Sequence, residues 1–150
     1  MKIAIMNRQR RQKILTKMLR AAAVKILNDL GCTSSELSVS IVGDRSIRIL
    51  NRDYLQKDRP TNVISFSMQE GEYGSIAPDL LGDVVISADT AAREAEDAGI
   101  SVHERLVFLL LHGILHLTGY DHERSGDAEA RRMEVKEAEI FADLRLFGLT

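Results

Sequence analysis

The stretch SVHERLVFLLLHGILHLTGYDH, residues 101–122, decides the fold of this 150-residue chain. Ser101 and Glu104 have the Ser-x-x-Glu spacing of a capping box, which predicts that a helix begins here. The helix is apolar on nearly every side, so we expect it to lie buried in the centre of the domain. Gly119 follows the apolar run and is well placed to end the helix in a left-handed turn. The apolar run inside the helix spans eleven residues, whereas a membrane span needs about 20.

Three histidines in this stretch have a spacing that brings them to one point. His112 and His116 are four residues apart, so they lie on one face of the helix, one turn from each other. His122 lies too far along the axis, but a turn at Gly119 lets the chain fold back toward the other two. We predict that His112, His116 and His122 bind one zinc ion per chain, and nickel, which also suits histidine ligands, is the alternative metal. His103, half a turn from that face, is expected at the surface.

Three nitrogen ligands leave a tetrahedral zinc ion with one open position, as in catalytic sites. Water bound there loses a proton near neutral pH, which favours metal-assisted hydrolysis. The spacing is that of the long metzincin motif, but Gly113 stands where metallopeptidases have a glutamate base. Packing or substrate space is expected to require this glycine, since it costs about 1 kcal/mol in a helix interior.

Two other hypotheses remain open. A metallopeptidase-like hydrolase of another bond would need a carboxylate base from outside the helix. A non-catalytic protein with a structural zinc would need a fourth protein ligand. Cys32 is remote in sequence, whereas Asp121 and Glu123 adjoin His122 and suit either the fourth ligand position or support of the histidine.

The rest of the chain fits one domain over residues 1–150. Hydrophobic residues are 45% and charged residues 28% of the sequence, as in globular proteins. A single cysteine excludes an intramolecular disulfide and favours a reducing compartment, so a cytoplasmic location is expected. Apolar periodicities predict the order β-α-β-α-β-β-α-α-α, an α/β domain with helices packed on one sheet. The first helix is expected within residues 8–30 and the last over 127–147, and Asp44 is a candidate N-cap of the second.

Charge divides the chain into two halves. Residues 1–60 carry 13 basic and 5 acidic side chains, and residues 61–150 carry 7 basic and 17 acidic ones. The basic run of residues 7–13, with Lys17 and Arg20 behind it, fits either a polyanion-binding surface or a solvated helix face.

The histidine stretch, His-Gly-x-Leu-His-Leu-x-Gly-Tyr-Asp-His, resembles the signature of the YbeY family of bacterial endoribonucleases. Two further stretches are similar to that family: KDRPTNVISF at residues 57–66 and LGDVVIS at residues 81–87. The resemblance implies a mixed four-stranded sheet, with His112, His116 and His122 as zinc ligands. It also implies single-strand-specific cleavage of RNA, in late 16S ribosomal RNA 3′-end maturation and ribosome quality control. The implied partners are ribosomal RNA and small-subunit ribosomal proteins or assembly factors, with no membrane. Under this resemblance, the non-catalytic alternative is a ribosome-assembly factor with structural zinc.

Three positions depart from the family pattern: Asn62 stands where the family often has aspartate and Ser67 where it often has proline, both tolerable changes, and the third is Leu55. The family usually has an arginine after the tyrosine that precedes residues 57–66, whereas this chain has Leu55. Arg59 is our first choice for stabilising charge on a reacting phosphate, because it lies in a loop beside a predicted strand. Arg52 is the alternative, and Arg52 and Lys57 are candidate substrate-binding residues.

Overall fold

A mixed sheet with helices on both faces organises the chain. The computed structural model describes residues 1–68, 79–120 and 126–150. The described residues form these elements: β1 (Lys2–Asn7), α1 (Thr16–Asp29), β2 (Glu36–Val42), α2 (Asp44–Leu55), β3 (Val63–Ser67), β4 (Leu80–Ser87), α3 (Ala88–Ala98), α4 (Val102–Leu117) and α5 (Asp127–Leu146). Their order is the predicted one, and the α/β class is confirmed.

The strands lie in the order β1-β2-β4-β3. β1, β2 and β4 are parallel, and β3 pairs antiparallel with β4 at one edge. Because side chains alternate along a strand, Ser65 and its partner Val84 face one side of the sheet, while Ile64 and Val85 face the other. The sheet therefore has two faces, and each is covered by different helices.

The predicted central position of α4 is confirmed, since ten of its sixteen residues are buried, among them Leu106, Leu109 and Leu115 on different sides of the helix. It packs on the Val84 side of the sheet, with α1 and α5 completing the same apolar core. Its first turn is capped as expected, because the Glu104 N–H donates to the Ser101 hydroxyl at 3.0 Å.

In the described ranges no single helix is long and apolar enough to cross a membrane, and α3 with α4, bent by 115°, meets the length and composition test only as a pair.

α2 covers part of the other face, where Ile47 packs with Ile64 and Val85. The prediction that Asp44 caps this helix is wrong, because Gly43 is the N-cap and Asp44 begins the first turn. The Asp44 carboxylate instead accepts hydrogen bonds from Thr90 and Arg93 of α3. A contact between two helices therefore uses the side chain that we expected to cap α2.

The first helix begins at Thr16 rather than near residue 8. The Gln9 side chain donates to the Gln12 carbonyl and accepts from its N–H, both at 2.9 Å, which folds this segment into a local turn. No residue before Leu19 is fully buried, so no apolar face stabilises an earlier helical start. The basic run is therefore an exposed irregular segment and not a helix face.

Candidate metal centre

The Nε2 atoms of His112 and His116 lie 3.2 Å apart on a partly exposed side of α4. Their ring centroids are 4.8 Å apart, with the planes at 74°. Two nitrogens bound to one tetrahedral zinc ion, at about 2.0–2.1 Å each, are about 3.3–3.4 Å apart. The predicted convergence of these two side chains is confirmed, and their spacing fits two ligands of one ion.

His112 is held in a single orientation by two neighbours. Its Nδ1 atom lies 2.8 Å from Oε2 of Glu137, and its ring stacks on Phe108 at a centroid distance of 6.5 Å. When Nδ1 carries the proton and donates it to this carboxylate, Nε2 keeps a lone pair directed at His116. A carboxylate behind a histidine is the arrangement that metal sites use to fix the ligand tautomer.

Glu137 is the functional residue that the sequence analysis missed. It lies on the buried side of α5, with its side chain only 14% exposed. The sequence could have indicated it, because Met133 precedes Glu137 by four residues and Ile140 follows it by three. This spacing places Glu137 on the same side of the helix as two apolar side chains, and both are buried. A carboxylate within an apolar helical stripe needs a partner, and His112 is that partner.

The third predicted ligand, His122, lies outside the described residues, as do Asp121 and Glu123. The turn before it is present: Gly119 has φ +102°, and the Tyr120 N–H donates to the Leu115 carbonyl at 3.0 Å. Within residues 1–68, 79–120 and 126–150, no group of three or more metal-binding side chains occurs. The described structure thus holds two of the three proposed ligands, and zinc binding stays a prediction.

The packing of α4 explains Gly113. A Cβ atom at this position would lie 2.7 Å from Cγ1 of Val84 and 3.2 Å from the Ser65 hydroxyl. That hydroxyl donates to the Gly113 carbonyl at 3.0 Å, which holds β3 against the helix. Close contact with the sheet therefore requires the glycine. A glutamate base at this position would have no room.

His103 is buried at 9% exposure, so its expected surface position is wrong. Its Nε2 atom lies 3.0 Å from the Leu149 carbonyl oxygen. The residues after α5 cover the first turn of α4, a contact that helical periodicity does not reveal.

A pocket of about 470 Å³ opens beside His116. Its wall includes Cys32, so a residue remote in sequence lies in the same pocket as the candidate ligand His116. The Cys32 thiol is 3.8 Å from the Leu30 carbonyl. The remaining described lining comes from the loop before β2, the end of β3, the start of β4 and the end of α4.

The three cationic candidates lie at the C-terminal end of α2 and in the loop after it, and all are exposed. Arg52 pairs with Asp53 at 2.9 Å, which raises the pKa of its guanidinium. The Lys57 N–H donates to the Asn51 carbonyl at 3.2 Å, and the Asn51 amide donates to the Arg59 carbonyl at 2.9 Å. These bonds hold the loop against α2.

α2 packs on the Ile64 and Val85 side of the sheet, whereas Gly113 of α4 packs against Val84 on the other side. The structure thus brings the two histidines together but places the loop of the cationic residues beside a helix on the opposite face. β3 is an edge strand, so this loop and α4 flank the same edge of the sheet. The roles assigned to Arg52, Lys57 and Arg59 stay predictions.

A model of the family described as Endoribonuclease YbeY matches residues 3–145. The chain belongs to this family. The Endoribonuclease YbeY of Geobacter metallireducens is 68% identical over 149 residues, which cover 99% of each chain. The Endoribonuclease YbeY of Aquifex aeolicus is 42% identical over 132 residues, with 88% of this chain and 86% of the relative covered. The resemblance of the histidine motif to the YbeY family is confirmed.

A solved structure supports the fold independently. The solution structure of TM1509 from Thermotoga maritima matches with a TM-score of 0.61 at 21% identity, covering 98% of this chain and 94% of that one. At this identity the match bears on the fold alone. It agrees with the mixed four-stranded sheet and its helices.

Proposed function

We propose that this chain is a zinc-dependent endoribonuclease that hydrolyses single-stranded RNA. The observation that carries the proposal is the 3.2 Å spacing of the His112 and His116 Nε2 atoms, with Glu137 behind His112. Membership of the YbeY family supports the reaction class. His122 is the proposed third ligand, and the fourth position is left for water and substrate.

Zinc bound here would supply a Lewis acid and, from its water, a hydroxide near neutral pH. The protein's own part is to hold and orient the ligands: α4 spaces His112 and His116, and Glu137 keeps the His112 lone pair facing outward. No carboxylate base follows His112, because Gly113 fills that position and packs on the sheet. This favours a phosphodiester over a peptide, since a peptide needs a proton delivered to its leaving amine.

RNA binding needs cationic side chains, because the acidic residues of the C-terminal half of the chain would repel the phosphates. Arg59 is proposed to stabilise charge on the scissile phosphate, with Arg52 and Lys57 binding the substrate. Arg10 and Lys13 are exposed in the segment before α1 and are proposed to hold the RNA backbone.

In the cell we propose that the protein acts in the cytoplasm on 16S ribosomal RNA, in 3′-end maturation and ribosome quality control. Its partners there would be small-subunit ribosomal proteins or assembly factors. Family membership and the exposed basic segment support this assignment.

The test is cleavage of a defined single-stranded RNA by nuclease-free protein, with a chelator and after zinc is restored. We expect one zinc ion per chain, loss of cleavage with chelator, and loss of both zinc and cleavage in His116→Ala. His103→Ala is the matched control, because this histidine of the same helix bonds Leu149, and it should keep its zinc. Full zinc occupancy in His116→Ala would overturn the ligand assignment. Four protein ligands on the metal would favour a structural zinc instead.

A further inference from the structure

The described wall of the pocket beside His116 comes from four parts of the chain. They are the loop of residues 31–35, the end of β3 at Ser67, the region where β4 begins, and the C-terminal end of α4 with the turn after it. His116 belongs both to this wall and to the proposed metal centre. Whatever occupies the pocket therefore lies next to the reacting group of a substrate bound at the metal.

The chemistry of the wall suits a neutral polar ligand. Hydroxyl groups come from Thr33, Ser34, Ser35, Ser67 and Thr118. Two apolar side chains, Leu81 and Leu117, complete the wall. The described lining contains no lysine or arginine, so the pocket is not suited to a phosphate.

Asp79 is the acidic residue of the described wall, and it is exposed. It lies immediately before β4, and its backbone carbonyl accepts from the Glu36 N–H at 2.7 Å, which fixes it beside the start of β2. A carboxylate has two acceptor oxygens side by side. Among the RNA bases, guanine presents two adjacent donors, N1–H and the 2-amino group, on its Watson–Crick edge.

We propose that this pocket binds the nucleoside next to the cleaved phosphate, and that Asp79 gives it a preference for guanine. The proposal rests on the proposed function, because it takes the RNA phosphate to lie at the metal beside His116. The volume of about 470 Å³ lies within the range of small-molecule sites. Unstacked bases are commonly recognised through hydrogen bonds to the Watson–Crick edge, and the hydroxyls of the wall suit the ribose 2′-OH.

The cleavage test uses two RNAs of about ten nucleotides. Both are adenosine except for one internal position, which is guanosine in one and inosine in the other; inosine keeps N1–H but lacks the 2-amino group. At the bonds flanking that position, kcat/KM should be about tenfold higher for guanosine than for inosine. Asp79→Asn should remove the difference and still cleave the inosine RNA. Asp83→Asn is the matched control, since Asp83 is an exposed carboxylate within β4, four residues after Asp79 and outside the pocket wall.

A binding measurement separates this proposal from the proposed function. Equilibrium dialysis of the zinc-loaded protein should show that guanosine 5′-monophosphate binds more tightly than inosine 5′-monophosphate. Asp79→Asn should abolish that preference. Equal binding of the two nucleotides by the wild type, or an unchanged preference in Asp79→Asn, overturns the guanine pocket even if RNA is cleaved. Absence of RNA cleavage would overturn the proposed function, and the nucleotide preference alone would then decide the pocket.

Discussion

The Nδ1 atom of His112 and the Oε2 atom of Glu137 lie 2.8 Å apart, although 25 positions separate the residues in the chain. The contact joins α5 to the face of α4 that carries the two candidate ligands. Because a carboxylate at Nδ1 favours the tautomer whose Nε2 lone pair faces His116, the packing of the last helix against α4 helps to form the candidate site. The candidate centre is thus a property of two helices and not of the histidine motif alone.

Removing this carboxylate should weaken metal binding. Glu137→Ala is expected to lower zinc affinity about 10- to 100-fold, since the His112 ring loses the partner that fixes its tautomer. Competition with a chromophoric chelator measures the change. Glu139→Ala, two positions away with its side chain 63% exposed, is the control and should bind zinc like the wild type. Equal affinities in both variants would rule out a supporting role for Glu137.

Gly113→Ala should destabilise the protein, although alanine is the better helix former. The new Cβ would meet Cγ1 of Val84 at 2.7 Å, and a β-branched side chain cannot turn away easily. We expect a loss of about 1–3 kcal/mol in the free energy of unfolding, measured with urea. The double variant with Val84→Ala should show a smaller Gly113→Ala penalty than the wild-type background does. A stabilised single variant would contradict the packing account of this glycine.

The carboxylate of Asp44 joins α2 to α3 through hydrogen bonds, and we expect this contact to weaken in acid. Burial raises its pKa, but hydrogen bonds from Ser87 and Thr90, both 2.6 Å, and from Arg93, 2.8 Å, bring the net pKa below the usual 3.8. The carboxylate therefore stabilises the fold fully above about pH 3.8, and the contribution disappears as the pH falls through the lower folded value.

Asp44→Asn should lower the free energy of unfolding by about 1–3 kcal/mol at neutral pH. It should also flatten the acid limb of the stability curve, because asparagine does not titrate. Urea unfolding over a series of acidic pH values measures both effects. The exposed Asp83→Asn serves as the control, and an acid limb as steep in Asp44→Asn as in the control would refute the assignment.

Arg59→Ala should slow RNA cleavage by about 10²–10³ and leave zinc content and thermal stability nearly unchanged. The loop should keep its place, because the Asn51 amide bonds the backbone carbonyl of Arg59 and not its side chain. Single-turnover cleavage rates measure the effect, and Arg52→Ala is run in parallel. A normal rate in Arg59→Ala with a slow Arg52→Ala transfers the role to Arg52. Normal rates in both would leave phosphate binding to another group.

Local spacing was enough to predict the element order, the buried helix α4 and the approach of His112 to His116. These features depend on residues a few positions apart, whose relative placement follows from helix and strand geometry. The capping contact of Ser101 with Glu104 is of the same kind. The late start of α1 is an exception, since helical spacing continued into a basic segment in which no residue is fully buried.

The remaining features depend on contacts between residues far apart in the chain. Glu137 behind His112, the close approach of Val84 to Gly113, and His103 under the last residues all required the helices to be docked. None follows from periodicity, because periodicity specifies which side of an element is buried but not which residue covers it. The metal-binding motif is therefore local in the chain, while the carboxylate that orients it and the pocket beside it arise from packing.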